Sequence, residues 1–265
     1  MKYLETNAIR KHASRIGDNN FILDKYTSIL SLLELVSGIK DNESFKLRQS
    51  IIKKIINSKI RIDLTLPELV IYNSFGFDLN NFEIADKIGK INKLVELTKD
   101  YDSLQKTIRL NSLDDGWLFV KQYDENANTG LKKSLLQRFS DSEVKQLIVQ
   151  FKDRWTSDNL KYLKNKVIEY YATILLKNSP VKCEKTIPEI ISSYDNSIDI
   201  YLIATAFYMD EKISYKNMPG KNDYLDLNHL TYLHGRLNQI VTDDKLLHNI
   251  MSKTYPENIL KTDEI

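Results

Sequence analysis

Gln239-Ile240-Val241-Thr242-Asp243-Asp244-Lys245 is a short apolar run that breaks into two acids and then into a helical pattern. Apolar residues of that kind bury in a sheet, and an acid at the break can cap the helix that follows. The other end of the chain has the same form. Met1-Lys2-Tyr3-Leu4-Glu5-Thr6-Asn7-Ala8-Ile9-Arg10 reads as a strand over Tyr3–Glu5, then a helix from Ala8 to Ile16 that stops at Gly17. Lys25 to Thr27 predicts a second strand. Ser28 then caps a helix in which Ile29, Leu32, Leu33 and Val36 recur at helical spacing, with Gly38 as its stop. Near the C-terminus, Pro219-Gly220 is a turn, a helix opens at Asp223 or Asp226 and runs to about Leu237, and Asn258 to Lys261 is a last strand. Strands alternating with helices at both ends predict a parallel sheet assembled from distant sequence. Such sheets gather functional residues at the carboxyl ends of their strands.

Between the ends the pattern is helical almost throughout. Helices are expected over Ser44–Ser58, Phe82–Leu97, Leu131–Phe139, Ser142–Trp155 and Leu160–Leu176, and Pro67 sits at a first helical turn. Loops are expected near Asn111–Gly116, Asp124–Gly130 and Lys177–Lys182. With 8 glycines and 5 prolines in 265 residues, long helices are favoured over many short strands. The division that follows is an α/β core from residues 1–40 and 219–265, with a helical insertion over 41–218.

Composition narrows the classes. Thirty-eight Lys and Arg against 36 Asp and Glu leave a net charge of +2, so any nucleic-acid site is a local patch. The single cysteine, Cys183, excludes an intramolecular disulfide and a cysteine-rich zinc site, and fits a reducing cytoplasm. No secretory signal is visible. The longest apolar run, Ile200–Met209, is about half the roughly 20 residues that a membrane span needs. The four histidines show no paired ligand spacing, and no phosphate-cradling glycine loop or Ser-His-Asp set is present.

The chemistry therefore rests on acids at strand ends and in first helical turns. Glu5 closes the first strand, and Asn7 beside it can orient its carboxylate. Glu34 falls among Leu32, Leu33, Leu35 and Val36, where a solvated acid is unexpected and a buried one needs a partner. Asp223 and Asp226 have the spacing of a cap and a third helical residue, with Asp223 read as the cap and Asp226 as a ligand. His229, one turn on, faces the same site in support. Of Asp243 and Asp244 one is a cap. Hard oxygen ligands of this kind select Mg²⁺ or Mn²⁺ over zinc or copper. Asp199, ahead of the apolar run 200–209, is a rival acid read as part of the core. Lys46, Arg48, Lys53, Lys54, Lys59 and Arg61 form a stripe with no acid among them, either a solvated face or a grip on phosphates through Lys53, Lys54 and Lys59.

Four of these stretches resemble the PIN-domain nucleases, a family that includes toxin ribonucleases of bacterial toxin–antitoxin pairs. Tyr3-Leu4-Glu5-Thr6-Asn7 is similar to the family's opening strand, with Glu where the family mostly has Asp. Ser28, Glu34 and Gly38 match the spacing of its second acidic motif, and Val241-Thr242-Asp243-Asp244 that of its fourth. Asp226 stands where the third acid is expected. The resemblance covers roughly the first forty and last fifty residues. It implies a three-layer α/β fold and a Mg²⁺- or Mn²⁺-dependent endoribonuclease whose catalytic ligands are Glu5, Glu34, Asp226 and Asp244. Asp244 is selected by spacing, with Asp243 a cap or further ligand, and Asn7, Thr242 and His229 lie around the metal. RNA is the substrate it implies, with DNA left open, and a protein inhibitor of antitoxin kind or a second copy of the chain are partners it allows. The other reading is a non-catalytic scaffold of the same fold whose helical part binds a protein or RNA.

Overall fold

Five short strands make one sheet: β1 (Lys2–Leu4), β2 (Lys25–Ser28), β3 (Arg61–Asp63), β4 (Gln239–Val241) and β5 (Ile259–Leu260). This is a computed structural model, and it describes residues 1–139, 155, 157–180, 183–215, 217–234 and 237–265. The order is β3-β2-β1-β4-β5, and every neighbouring pair is parallel. Tyr3 lies between Tyr26 and Ile240, and Leu4 beside Val241, so the two ends of the chain form the middle of the sheet.

Side chains alternate across these strands, and each face receives its own layer of helices. Tyr3, Tyr26 and Ile240 point into one core. It is filled by Val70 and Ile71 of α5 (Pro67–Ser74), Ile200 and Phe207 of α11 (Asp199–Ser214), and Leu247 and Ile250 of α13 (Lys245–Thr254). Leu4 and Val241 point into the other. There they meet Ala8 and Ile9 of α1 (Thr6–Lys11), Leu33 and Val36 of α3 (Ile29–Ser37), Ile52 and Ile55 of α4 (Asn42–Asn57), and Ile91 and Val95 of α6 (Phe82–Leu97). The fold is a three-layer α/β/α arrangement with an all-parallel sheet, mostly helical by residue. Among the described residues no helix is long and apolar enough to cross a membrane.

Three expectations are corrected. The segment 41–218 is not wholly helical: Arg61–Asp63 is edge strand β3, paired with β2 through Thr27 and Ile62. Three residues were too few to show a period. The loop expected at Asp124–Gly130 is helical, because α8 runs unbroken from Asp114 to Phe139. The helix opening at Asp223 stops early: α12 is Asp223–Asn228, followed by a 3-10 turn at His229–Tyr232 whose side chains are all buried. Apart from Trp155, the helix expected over Ser142–Trp155 lies outside the described residues. Asp199 is buried at the start of α11 against the Lys164 ammonium at 2.6 Å and the Tyr194 hydroxyl at 2.9 Å, in keeping with a core role.

The C-terminus of α3 is held by two cations from elsewhere. Arg48 of α4 donates to the carbonyls of Glu34 and Leu35, both at 3.1 Å, and Lys121 of α8 donates to those of Ser37 and Ile39. Cations there complement the helix dipole and satisfy its last carbonyls. Gly38 has an ordinary right-handed conformation, φ −76°, and its role is room: a Cβ there would lie 2.1 Å from Arg48 Cζ. Gly38→Ala is expected to displace the guanidinium and cost about 1–2 kcal/mol. Urea denaturation in wild-type and Arg48→Ala backgrounds checks this, since the glycine substitution should cost far less once Arg48 is gone.

Candidate functional site

The chain leaves β1 toward β2 and β3 on one side and returns through β4 and β5 on the other, so the connections diverge between β1 and β4 at their carboxyl ends. Open parallel sheets form a crevice at such a point. Glu5 follows β1 directly, and Thr242 to Asp244 follow β4. Glu34 reaches the same edge from α3.

Glu5 is the N-cap of α1 and is only 2% exposed. Its Oε1 accepts from the Asn7 backbone N–H at 3.0 Å, while Oε2 is buried with no partner at hydrogen-bond distance among the described residues. Burial pushes this carboxyl up to about 7 and Glu34 adds repulsion, against which His229, the Asn7 N–H and the Thr242 hydroxyl work. Asn7 thus orients the acid through its main chain, where the sequence pointed to its side chain, which is exposed.

Glu34 Oε2 accepts from the Thr6 hydroxyl and meets His229 Nε2 at 3.0 Å. Burial works to raise this carboxyl, but His229, Thr6 and the Arg48 charge outweigh it and hold it below the ordinary range. His229 is fully buried, and its Nδ1 lies 2.6 Å from the Tyr3 hydroxyl, which also bonds Ser28 Oγ at 2.7 Å. Burial lowers the imidazole, yet Glu34, Glu5 and Asp226 raise it further than burial lowers it. As imidazolium it donates through both nitrogens, to Glu34 and to Tyr3. Ser28, expected as a helix cap, makes no side-chain cap bond and serves Tyr3 instead.

One ligand atom each of Glu5, Glu34 and His229 lie within 4.8 Å of one another. Asp226 belongs to the same electrostatic group. Burial, then Asp244 and Glu34, push its carboxyl up to about 8. Asp244 caps α13 by accepting from the Leu247 N–H at 2.9 Å, and its own N–H donates to Thr242 Oγ1 at 2.9 Å. The cap is therefore Asp244 and not Asp243.

Two other candidate ligands are turned elsewhere. Asp243 binds the Thr262 hydroxyl at 2.5 Å, the Thr262 N–H at 3.1 Å and Lys11 at 3.2 Å. Those partners, Thr262 first, hold it down at about 2. Asp223 is N1 of α12 and not its cap; it accepts from the Tyr208 hydroxyl at 2.7 Å and the Gly220 N–H at 2.8 Å, with Lys212 at 3.4 Å. Lys53 and Lys54 stand exposed near the end of α4, and Lys59 on the link into β3. Because β3 begins at Arg61, Lys59 lies at the amino edge of the sheet, opposite the acids. Arg48, nearer the start of α4, reaches the acid side, where Arg10 is close enough to act on it.

The side chains that support Glu34 and His229 were not legible in the sequence. Thr6, Tyr3 and Arg48 touch the site through contacts of 28, 226 and 14 residues in separation, and no local pattern announces them.

Two carboxylates this close repel, and the orphaned, buried Glu5 Oε2 calls for a positive partner. Among the described residues the group that could hold a metal ion is Glu5, Glu34 and His229; it includes neither Asp226 nor Asp244. Comparison with protein-family models, with curated proteins and with solved structures finds no match for this chain.

Proposed function

We propose that this chain is a metal-dependent endoribonuclease of PIN-like type, with Glu5, Glu34, Asp226 and Asp244 holding Mg²⁺ or Mn²⁺. The observation that carries the reading is the buried Glu5 carboxylate at the crevice of a parallel sheet, with one oxygen within 4.8 Å of ligand atoms of Glu34 and His229 and with Oε2 lacking a hydrogen-bond partner among the described residues. A divalent cation held by these residues would supply an acidified water for attack on a phosphodiester and would offset charge on the leaving oxygen. Water adds its oxygen to phosphorus, the bond to the 3′-oxygen breaks, and the proton goes to that oxygen, leaving a 5′-phosphate and a 3′-hydroxyl. Glu5 and Asp244 are held as ligands by the helix termini they cap. Thr6 and His229 fix the Glu34 carboxylate, and Arg48 and Arg10 supply positive charge beside it for the flanking phosphates.

The test is cleavage of single-stranded RNA with added Mg²⁺ or Mn²⁺, arrested by EDTA, with DNA of the same sequence as a second arm. Cleavage that survives EDTA, or none under any metal, sinks the reading. One observation favours a non-catalytic scaffold instead: His229 Nε2 already lies 3.0 Å from Glu34 Oε2, in the place of a counter-ion when the ring is protonated. In that case the acids bind no metal, and protein or RNA binding proceeds without turnover.

A further inference from the structure

Helix α8 is packed against both α3, which carries Glu34, and α12, which carries Asp226. Where it passes α12 and the start of α5 it leaves a cavity of about 530 Å³, lined by Glu68, Asp115, Phe119, Gln122, Tyr123 and Tyr224 among others. Asp115, Phe119 and Gln122 are spaced four and three apart and so share one face of α8. Glu68 follows β3 into α5, which places it at the same carboxyl edge as Glu5 and Glu34. Tyr224 stands two residues before Asp226 on α12, so the two side chains leave the helix on different faces and the cavity is separate from the acids.

Three flat rings line this space, with Phe119 and Tyr123 5.5 Å apart between centroids. Its hydrogen-bonding wall is acidic. Glu68 is largely buried and receives the Tyr123 hydroxyl at 2.8 and 3.0 Å on its two oxygens. Burial raises this carboxyl, and its own backbone N–H with the Tyr123 and Tyr224 hydroxyls work against that, with no cation among them. No Lys or Arg lines the cavity among the described residues. A phosphate has nothing to bind there, whereas a planar ring bearing N–H donors has both stacking faces and acceptors.

We propose that this cavity is the subsite for an unpaired nucleobase with adjacent N–H donors, guanine above all. The proposal rests on the nuclease reading in taking RNA as the ligand. Guanine presents N1–H and N2–H₂ side by side, the match for a carboxylate. Adenine and cytosine offer one exocyclic amino group. Uracil flanks its only N–H with two carbonyl oxygens, which carboxylates repel. Stacking on the three rings adds affinity for any base, and the acids sort among bases.

The experiment measures binding of the full chain in EDTA, so that nothing is cut, to a fluorescent oligouridylate and to the same oligomer with one central guanosine. The guanosine oligomer is expected to bind about tenfold tighter, the scale of one good base-edge contact. Glu68→Gln should bring the two to within about twofold while leaving the oligouridylate unchanged. Asp115→Asn, at an exposed position where misfolding is not at issue, should narrow the gap in part. Equal affinities in wild type overturn the proposal, as does a preference that survives Glu68→Gln. Binding of an arginine-rich peptide through Glu68, with neither oligomer bound, also overturns it. Addition of Mn²⁺ separates this from the nuclease reading. Equal cleavage of both oligomers keeps the nuclease and removes the subsite; guanosine-dependent binding with no cleavage does the reverse.

Discussion

Glu5→Gln is expected to reduce metal-dependent RNA cleavage by about a thousandfold or more without unfolding the protein. The substitution removes one unit of ligand charge at nearly constant volume. A metal's stabilisation of transition-state charge is worth several kcal/mol, and each 1.4 kcal/mol is about tenfold in rate. The fold should survive because the Gln side-chain oxygen can still accept from the Asn7 N–H that Glu5 now engages at 3.0 Å. Asp244→Asn makes a matched companion. Asp244 caps α13 through the Leu247 N–H, and Asn caps a helix about as well as Asp. Loss of activity in that variant would therefore report the missing charge and not a frayed helix. His229→Gln should cost less, about 10- to 100-fold, because it acts by orienting Glu34. Single-turnover cleavage with Mn²⁺, alongside circular dichroism, gives the comparison. Full activity in both Glu5→Gln and Asp244→Asn would remove the proposed metal site.

The second large effect is on stability. The metal-free protein should be most stable near pH 5 and lose stability as pH rises toward 8. Folding raises Glu5 to about 7 and Asp226 to about 8, both well above ordinary carboxyl values, chiefly by burial. The native state then holds more protons than the unfolded chain between about pH 4 and 8, so stability falls with rising pH across that window. His229, raised by Glu34, Glu5 and Asp226 against its burial, acts in the same direction above its ordinary range. Glu34 has the opposite sign: held low, it contributes stability that is lost only as pH falls below the usual carboxyl range. At about 1.4 kcal/mol per unit, the Asp226 shift alone is on the order of a few kcal/mol. Asp226→Asn should flatten the profile and raise the melting temperature of the metal-free protein at pH 8. Mg²⁺ or Mn²⁺ should restore wild type there by mass action, and the variant less. Melting curves at several pH values, with and without metal, test it. A profile flat or rising from pH 5 to 8 would mean that these acids are not buried together.

How much was legible in the sequence follows from the range of each interaction. The central strands could be read because Tyr3-Leu4 and Ile240-Val241 are apolar runs ending in an acid, and a capping acid is a local signal. The α3 pattern, and the limits of α6 at Phe82–Leu97, come from side-chain periods that need no partner. Strand β3 was hidden because Arg61-Ile62-Asp63 is too short and polar to show a period, and only pairing with β2 makes it a strand. The run Asp124–Gly130 carries turn residues, yet it is helical within α8, whose packing on α3 and α12 overrides weak propensity.

At the site, local pattern pointed to Glu5 at a strand end, Glu34 among apolar helix residues and Asp226 in a first helical turn, with His229 beside them, and the family resemblance chose Asp244 over Asp243. Only the folded chain decided what each of the neighbouring acids binds. Asp243 and Asp244 are equal as cap formers on paper, and the Thr262 hydroxyl and Lys11, distant in the chain, draw Asp243 away and leave Asp244 to cap α13. It also decided the supports. Tyr3 and Thr6 reach His229 and Glu34 only because parallel pairing sets β1 between β2 and β4. Local caps and periods are written in neighbouring residues; a hydrogen bond across 226 positions exists only once the sheet has closed.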